Sequence, residues 1–174
     1  MPANVEIKAR LKDFSAMKEK VKALSQQPGQ VLTQEDVFFN TSRGRLKLRL
    51  INGQQAELIF YERPDQQGPK FCQYELFTTA QPERLKKVLG AALGERGVVR
   101  KTRYFYLVGQ TRIHLDRVEG LGDFLELEVV LKPGQTEAEG QAIAFELMKS
   151  LGLDLESLID AAYIDLLEQN KISG

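Results

Sequence analysis

Two glutamates in the segment FLELEVVL (124–131) have the spacing of paired metal ligands on one face of a strand. Alternate residues of a strand point to the same face, so Glu126 and Glu128 lie side by side while Leu125 and Leu127 point the other way. Neighbouring carboxylates repel each other, and a divalent cation would relieve that repulsion. Because the ligands are oxygens, and the chain has one histidine and one cysteine, this pair predicts Mg²⁺ or Mn²⁺ rather than zinc.

A row of cations provides the complementary feature. In the segment RLKLR (45–49), Arg45, Lys47 and Arg49 share one face and no acid lies between them. Charges two residues apart on a strand are separated by about 6.6 Å, and each such pair costs roughly 2.5 kcal/mol at an effective dielectric constant of 20. A bound polyanion would remove this cost. Together the two rows predict a site for a complex of a divalent metal with a triphosphate.

Other strand-like segments carry charged faces of the same kind. By the same alternation, these further side chains share faces: Glu6, Lys8 and Arg10; Tyr61 and Arg63; Lys101 and Arg103; Arg112, His114 and Asp116. For any single strand, the simpler interpretation is the solvated side of a sheet whose other side is core. The separation of cations from acids across the whole set favours a binding function instead. We expect His114, the only histidine, to be a hydrogen-bonded structural residue rather than a catalytic one.

Eight strand-like segments must position these residues. Alternation predicts strands at 4–11, 30–40, 44–51, 55–63, 70–78, 98–108, 111–118 and 123–132. The Asn52-Gly53 pair lies between two alternating segments and predicts a tight hairpin. Because the connections between so many strands are short, we expect antiparallel pairing.

Helices are predicted between the strand groups. Asp13 is a plausible N-cap for a first helix, and Pro82 opens a second helix that continues to residue 93. Thr136 and Glu139 form a capping box for a third helix that continues to residue 151, and short helical turns follow Asp154. We therefore expect a single α+β domain over the whole chain, residues 1–174.

The composition excludes several classes of function. The 174 residues have a formal net charge of zero and 43% hydrophobic content, which is typical of a soluble globular protein without bulk attraction to nucleic acid or an anionic membrane. Cys72 is the only cysteine, so an internal disulfide and a cysteine-rich zinc site are excluded, and we expect a buried apolar role for it. The chain contains no apolar stretch of about 20 residues and no signal-like N-terminus, so we expect a cytoplasmic protein. A homodimer remains an open alternative.

Several segments together resemble the CYTH superfamily, the triphosphate tunnel metalloenzymes. They are VEIKAR, FFN…GRLKLR, LIFYERPD, VRKTRYFY, IHLDRVEGLGDFLELEV and YIDLL, in family order over residues 4–168. The superfamily includes class IV adenylate cyclases, thiamine triphosphatases and inorganic tripolyphosphatases, and the likeness is greatest to small cyclase-like proteins. The resemblance implies a closed antiparallel barrel of eight strands with flanking helices, which holds a triphosphate and one or two divalent metals in its interior.

The resemblance also implies roles for individual residues. Glu126 and Glu128 match the paired metal-binding glutamates, Asp116 matches the acid of the preceding strand, and Glu6 is the remaining acid of an N-terminal ExExK signature that ends at Lys8. The side chains expected to bind the triphosphate are Lys8, Arg10, Arg45, Lys47, Arg49, Arg63, Lys101, Arg103 and Arg112. Lys8 has two expected roles: activation of water, if neighbouring cations lower its pKa, or simple phosphate binding.

The sequence departs from the family pattern at three places. Asn4 replaces the first glutamate of ExExK, Asn40 replaces an aspartate, and LIFYER offers Tyr61 and Arg63 where a catalytic lysine often occurs. Binding is therefore better supported than chemistry. We expect metal-dependent hydrolysis of ATP, thiamine triphosphate or tripolyphosphate. Cyclisation of ATP to cyclic AMP and pyrophosphate is the alternative, and a non-catalytic triphosphate or nucleotide binder is a further one.

Overall fold

The strands of this chain form a sheet that closes on itself, as described by a computed structural model that covers residues 2–66 and 68–173. The strands are β1 (Ala3–Arg10), β2 (Gln30–Phe39), β3 (Arg45–Ile51), β4 (Gln55–Glu62), β5 (Lys70–Thr79), β6 (Glu95–Val108), β7 (Thr111–Val118) and β8 (Gly122–Val130). The helices are α1 (Phe14–Leu24), α2 (Pro82–Leu93), α3 (Glu137–Leu151) and α4 (Tyr163–Ser173), with a 3-10 turn at Leu155–Ser157. Within the described ranges, none of the helices has the length and apolar character needed to cross a membrane.

The barrel has the strand order β1-β5-β4-β3-β2-β6-β7-β8, and β8 pairs with β1 to close it. Every neighbouring pair is antiparallel. The prediction of a single-domain, closed, eight-stranded antiparallel barrel with flanking helices is confirmed. β6 begins at Glu95, three residues before the predicted start, because its pairing with β2 continues past a bulge to the pair Phe39 and Glu95.

The connection between β3 and β4 is the tight hairpin that the sequence predicted. Asn52 and Gly53 both have positive φ, 52° and 68°, a combination that a two-residue turn of this twist requires. The Asn52 side chain also accepts a hydrogen bond of 2.9 Å from the backbone N–H of Thr33 on β2. This turn therefore fixes the register of β3 with β4, and its hydrogen bond to Thr33 connects it to β2.

The largest apolar cluster lies outside the barrel, between its wall and helices α1 and α3. The outward apolar residues of β1, β7 and β8 pack against α1 and α3, and the buried set is Val5, Ile7, Ile113, Leu115, Leu125, Leu127, Val129, Phe14, Met17, Val21, Ala144, Met148 and Leu151. α3 lies so close to the wall that a Cβ on Gly140 would be 2.7 Å from Val5 Cγ2. Because burial of the outer face supplies the largest apolar cluster, much of the interior is left for polar side chains.

One end of the barrel is covered by residues 158–163, which lead into α4. The backbone of this segment bonds to the backbone of Lys8 on β1 and accepts a hydrogen bond from the Lys70 side chain on β5. The Tyr163 hydroxyl donates a hydrogen bond of 2.8 Å to Asp116 on β7. Because these contacts come from strands on different sides of the barrel, the segment lies across its end.

Candidate active site

The interior of the barrel is a charged tunnel with a volume of about 380 Å³. It opens at the end opposite to residues 158–163. Seven of the nine cations that the sequence predicted line this tunnel, namely Lys8, Lys47, Arg49, Arg63, Lys101, Arg103 and Arg112. The acids along the wall are Glu6, Asp36, Glu57, Glu126 and Glu128. Lys47 and Arg49 of the cationic row and both glutamates of the acidic pair therefore face one volume.

Three predicted site residues lie at the covered end, outside the tunnel lining. Arg10 is exposed at the end of β1, with its guanidinium 5.0 Å from the centre of the Phe124 ring. Arg45 binds Asp165 of α4 at 2.9 Å. Asp116 is completely buried against Arg103 and Tyr163. All three have the parity expected of inward-facing residues, but their positions along the barrel axis differ from those of the tunnel residues.

The two glutamates of the opening segment meet His114 in a compact group that could hold a metal ion. Potential ligand atoms of Glu126, Glu128 and His114 all lie within 4.8 Å of one another. The group is built by strand pairing, since His114 on β7 lies opposite Glu126 on β8, and Glu6 on β1 lies opposite Glu128. Carboxylate groups this close together are suited to binding a divalent cation.

Cations keep the paired glutamates ionised. Glu126 lies 3.4 Å from Lys8 and 3.3 Å from Arg103, and Glu128 lies 3.0 Å from Arg112. Burial raises the pKa of Glu126, but Lys8, Arg103 and His114 outweigh this and hold the pKa well below its usual value. The pKa of Glu128 is also lowered, because His114 and Arg112 outweigh the effect of burial. Both side chains are therefore ready to bind a cation.

Glu6 lacks such compensation. Burial, and then the charge of Glu128, raise the pKa of Glu6 to about 7, while Arg63 at 3.8 Å only partly opposes them. A carboxyl group in this state gains most from a cation placed between it and its neighbours. Glu6 thus fits as an additional oxygen ligand beside the group of Glu126 and Glu128.

The opposite wall of the tunnel concentrates positive charge around a single acid, Asp36. This carboxylate accepts two hydrogen bonds of 2.8 Å from Arg49, and it lies 3.0 Å from Lys101 and 3.4 Å from Lys47. Burial raises the pKa of Asp36, but the three cations outweigh it and hold the pKa well below the usual value. Three cations share one negative charge, so this wall retains a net positive charge that an anion can neutralise.

Arg63 has the strongest need for an anionic partner. Its side chain is 5% exposed, and its Nε and Nη2 atoms are buried without a hydrogen-bond partner among the described residues. Buried donors without an acceptor are uncommon in folded proteins and usually indicate a missing partner. Arg63 lines the tunnel 3.8 Å from Glu6, so an anion bound to it would also lie near the glutamates.

A second buried ion pair holds Arg103. Its Nε and Nη2 atoms donate to the two oxygens of Asp116 at 2.8 and 2.7 Å, and Nη2 also lies 3.3 Å from Glu126. Tyr163 donates its hydroxyl to Asp116 from the covered end. Burial raises the pKa of Asp116, but Arg103 outweighs it and lowers the pKa below its usual value. Both oxygens of Asp116 are thus occupied by Arg103.

Lys8 contacts both the glutamate group and the segment that covers the end of the barrel. Its Nζ lies 3.4 Å from Glu126, 3.4 Å from the carbonyl oxygen of Ala161, and 4.0 Å from the centre of the Tyr163 ring. Burial, and then the nearby Arg63, lower the pKa of Lys8, although Glu126 opposes them. The ammonium group is thus enclosed by three partners at the inner end of the tunnel.

The open end of the tunnel has a different chemical character. Its walls carry Leu32, Ile51, Tyr74, Leu76 and Phe105, of which Leu76 is 46% exposed. These residues lie at the outer ends of their strands, away from the segment that covers the other end. An apolar and aromatic mouth suits an organic group attached to an anion that lies deeper in the tunnel.

The structure also shows where the residues that depart from the family pattern lie. Asn4 is buried on β1, and in the amide orientation that satisfies its bonding, its oxygen accepts from Arg112 at 3.2 Å. Asn40 lies outside the tunnel lining and donates to the carbonyl oxygen of Leu93 at 3.3 Å. Tyr61 and Arg63 both line the tunnel. Asn4 thus serves to position an arginine.

Two residues of the site were not found from the sequence. Asp36 belongs to the alternating series Gln34, Asp36 and Phe38 on β2, all of which line the tunnel, and this parity was the available signal. Tyr163 lies at the covered end of the barrel, and its ring lines the tunnel next to Lys8. A contact between a terminal helix and a first strand has no local signal in the sequence.

Comparison with known proteins agrees with this architecture. The model of the CYTH domain family matches residues 2–163. The chain belongs to the CYTH family. This assignment confirms the resemblance inferred from the sequence motifs, and in this family the barrel interior is the expected location of a triphosphate and a divalent metal.

Individual known proteins resemble the chain over almost its full length. A "putative adenylate cyclase" of Methanocaldococcus jannaschii is 25% identical over 169 residues, which is 93% of this chain and 97% of that protein. The structure of the PH1012 protein from Pyrococcus horikoshii superimposes with a TM-score of 0.81 at 31% identity and covers 94% of this chain and 98% of its own. A "putative adenylyl cyclase" of Hippeastrum, described as having a dominant triphosphatase activity, shares the fold at a TM-score of 0.67 and 18% identity, covering 96% of each chain.

Proposed function

We propose that this CYTH protein is a divalent-metal-dependent enzyme that hydrolyses a triphosphate bound inside the tunnel. The observation that carries the proposal is the position of Arg63. Its guanidinium has two buried nitrogens without a partner among the described residues, and Arg63 belongs to the lining of the same tunnel as Glu126 and Glu128. An anion that satisfies Arg63 would therefore lie against the carboxylates, which is favourable only when a cation lies between them.

The cations of the tunnel are assigned to binding and orienting the phosphate chain. Lys47, Arg49 and Lys101 supply the net positive wall around Asp36, and Arg63 lines the tunnel beside Glu6. Arginines offer bidentate contacts to phosphate oxygens, which fix orientation as well as charge. A substrate held by both walls would have its chain aligned along the tunnel axis, and such positioning is a major part of catalysis in phosphoryl transfer.

The acids at the inner end are assigned to the metal. Glu126, Glu128 and Glu6 would hold Mg²⁺ or Mn²⁺. The bound metal would neutralise the charge that develops on the phosphate oxygens. Asp116 is assigned to Arg103 rather than to the metal, because both of its oxygens bond that guanidinium. Arg103 thereby keeps a fixed position between Asp116 and Glu126, where it can contact the transferring group.

For Lys8, phosphate binding is favoured over activation of water. The ammonium form is held by Glu126 at 3.4 Å and by the Tyr163 ring at 4.0 Å. The lowered pKa of Lys8 meets the condition for activation of water, but both contacts oppose that shift by stabilising the protonated state, in which a lysine cannot accept a proton from water. The attacking nucleophile is water in a triphosphatase, and it is the ribose 3′-hydroxyl of the substrate in an adenylate cyclase.

Hydrolysis is preferred to cyclisation because it needs fewer special contacts. A cyclase must hold a ribose so that its 3′-hydroxyl reaches the α-phosphate, whereas hydrolysis needs only a positioned water. The dominant triphosphatase activity of the Hippeastrum protein, which shares the fold, is consistent with this preference. The apolar mouth around Tyr74 and Phe105 favours an organic triphosphate, so ATP cyclisation is the second candidate, as the name of the Methanocaldococcus relative suggests.

The test is product analysis with three substrates. ATP, thiamine triphosphate and tripolyphosphate are incubated with Mg²⁺ or Mn²⁺, and both phosphate release and cyclic AMP are measured. We expect metal-dependent phosphate release, a loss of about 100-fold or more in Glu126→Gln, and little change in Arg10→Gln. Arg10 is the matched control because it is a cation of the same barrel that lies outside the tunnel.

The same experiment distinguishes the remaining alternatives. If ATP yields mainly cyclic AMP and pyrophosphate, the protein is a cyclase rather than a triphosphatase. Tight triphosphate binding without turnover under any metal would identify a non-catalytic binder. A Glu126→Gln variant as active as the unmodified protein would contradict the proposed site.

A further inference from the structure

His114 occupies a position that its neighbours in the structure do not explain. The side chain is 5% exposed and points into the tunnel from β7. Its Nδ1 atom is buried and has no hydrogen-bond partner among the described residues. Buried polar atoms are almost always satisfied, so an orphaned nitrogen directed into a tunnel indicates a partner that belongs to the bound state.

The distances around this nitrogen fit a shared ion better than a hydrogen bond. Nδ1 lies 3.7 Å from Glu126 Oε2 and 3.9 Å from Glu128 Oε1, whereas an N–H···O hydrogen bond has a length of about 2.7 to 3.2 Å. Ligand atoms about 2.1 Å from one octahedral ion are separated by about 3 Å when adjacent and by about 4.2 Å when opposite. The two observed distances lie between these values, so a small shift of the side chains would bring the three donor atoms to one ion.

The remaining contacts hold the three groups in this arrangement. Lys8 contacts Glu126 through Oε1, and Arg112 contacts Glu128 through Oε2. The oxygens that face His114 are therefore Oε2 of Glu126, which Arg103 also approaches at 3.3 Å, and Oε1 of Glu128. The imidazole is fixed from the other side by the ring of Phe105, with ring centres 5.6 Å apart.

A structural role as a charged partner of the glutamates is the simpler alternative. A protonated imidazole would be expected to approach one carboxylate to hydrogen-bond distance, because charge-assisted bonds are short. Instead Nδ1 lies nearly equidistant from both glutamates and bonds to neither. The position between two carboxylates is that of a ligand.

We propose that His114 coordinates the metal through Nδ1, together with Glu126 and Glu128, so that the site combines nitrogen and oxygen donors and prefers Mn²⁺ to Mg²⁺. Mg²⁺ is a hard ion that favours oxygen ligands, while imidazole binds first-row transition metals more strongly. This inference rests on the metal site of the proposed function and adds to it a ligand and a metal preference. The sequence favoured a structural role for this histidine.

The test uses Mn²⁺ as the probe on the full-length protein without substrate. Electron spin-echo measurements detect the ¹⁴N nucleus of an imidazole bound directly to Mn²⁺, and calorimetry gives the affinities for Mn²⁺ and Mg²⁺ separately. We expect a ¹⁴N signal in the unmodified protein. We also expect the affinity for Mn²⁺ to exceed that for Mg²⁺ by about tenfold or more.

Two variants make the assignment specific. In His114→Asn, the amide oxygen can occupy the position of Nδ1, so the ¹⁴N signal and the preference for Mn²⁺ should disappear while Mg²⁺ binding is retained. In His114→Leu, the ligand is removed, so Mn²⁺ affinity should fall by about tenfold or more. Thermal unfolding of both variants shows whether they fold, and the Asn variant keeps the test informative if the Leu variant does not.

The other outcomes overturn the inference in distinguishable ways. Mn²⁺ bound without a ¹⁴N signal, or an Asn variant with unchanged metal preference, would refute coordination by His114 and leave the carboxylate site and the proposed function intact. Failure of the unmodified protein to bind either metal would refute both the inference and the proposed metal dependence.

Discussion

Replacing Asp116 with asparagine distinguishes a residue that holds Arg103 from a residue that binds metal. The Asp116 carboxylate is completely buried, accepts both hydrogen bonds from Arg103 and a third from Tyr163, and is not a member of the group formed by Glu126, Glu128 and His114. In Asp116→Asn the tyrosine can still donate to the amide oxygen. One guanidinium nitrogen of Arg103, however, then faces an amide NH₂ group and loses its acceptor.

The magnitude follows from the contacts that remain. Removing one partner of a buried ion pair costs about 3 to 5 kcal/mol. Glu126 still lies 3.3 Å from Arg103, so we expect the lower end of this range, about 3 kcal/mol. In a domain of 174 residues, each kcal/mol lowers Tm by roughly 2 to 4 °C. The expected decrease in Tm is therefore about 6 to 12 °C.

The assay combines thermal unfolding with calorimetric titration of Mn²⁺. For Asp116→Asn we expect the decrease in Tm together with a metal affinity within about threefold of the original, a change below 1 kcal/mol. Glu128→Gln is the matched control, since the side chain is partly exposed at the same site and should lose metal affinity with a smaller change in Tm. Unchanged stability and a metal affinity reduced by about tenfold or more in Asp116→Asn would refute this reasoning and make Asp116 a ligand, as the sequence resemblance implied.

Two further predictions concern lysines of the tunnel. Lys8→Arg keeps a cation that cannot lose its proton, so a phosphate-binding role predicts turnover within about tenfold of the original. A loss of about 100-fold or more in kcat with unchanged triphosphate binding would instead assign proton transfer to Lys8. Burial, reinforced by Arg49 and other cations and opposed by Asp36, lowers the pKa of Lys101 to about 7; the lysine therefore loses its charge as the pH rises through 7. Calorimetry without metal should then show tripolyphosphate affinity falling more steeply between pH 7 and 9 in the unmodified protein than in Lys101→Met, and parallel profiles would contradict the shifted pKa.

The sequence predicted which face of each strand is charged, because parity is a local property. The pairs Lys47 and Arg49, and Glu126 and Glu128, all face the tunnel as their alternation indicated. The parity of a residue does not indicate where its side chain lies along the barrel axis. Arg10, Arg45 and Asp116 have the correct parity, but all three lie at the end that residues 158–163 cover, and that cover is a contact between distant parts of the chain.

Closure of the barrel and the balance of charges inside it also depend on distant pairings. The sequence contained eight strands, but only the family resemblance implied that β8 returns to β1. Asp36 was missed because its three cations come from β3 and β6, and nothing near Asp36 in the sequence indicates them. His114 was assigned a structural role because a lone histidine has no local signal for a ligand, whereas its distances to two glutamates became measurable only in the folded barrel.

The central claim is that one enclosed tunnel holds a triphosphate by its cations and a metal by its acids. A crystal structure with Mn²⁺ and imidotriphosphate, a non-hydrolysable analogue, tests it most directly, because anomalous scattering locates the metal. The account predicts a single strong anomalous peak between Glu126 and Glu128, with phosphate oxygens bonded to the free nitrogens of Arg63. Metal and analogue bound on the outer surface, or Arg63 still without a partner in the occupied tunnel, would contradict it.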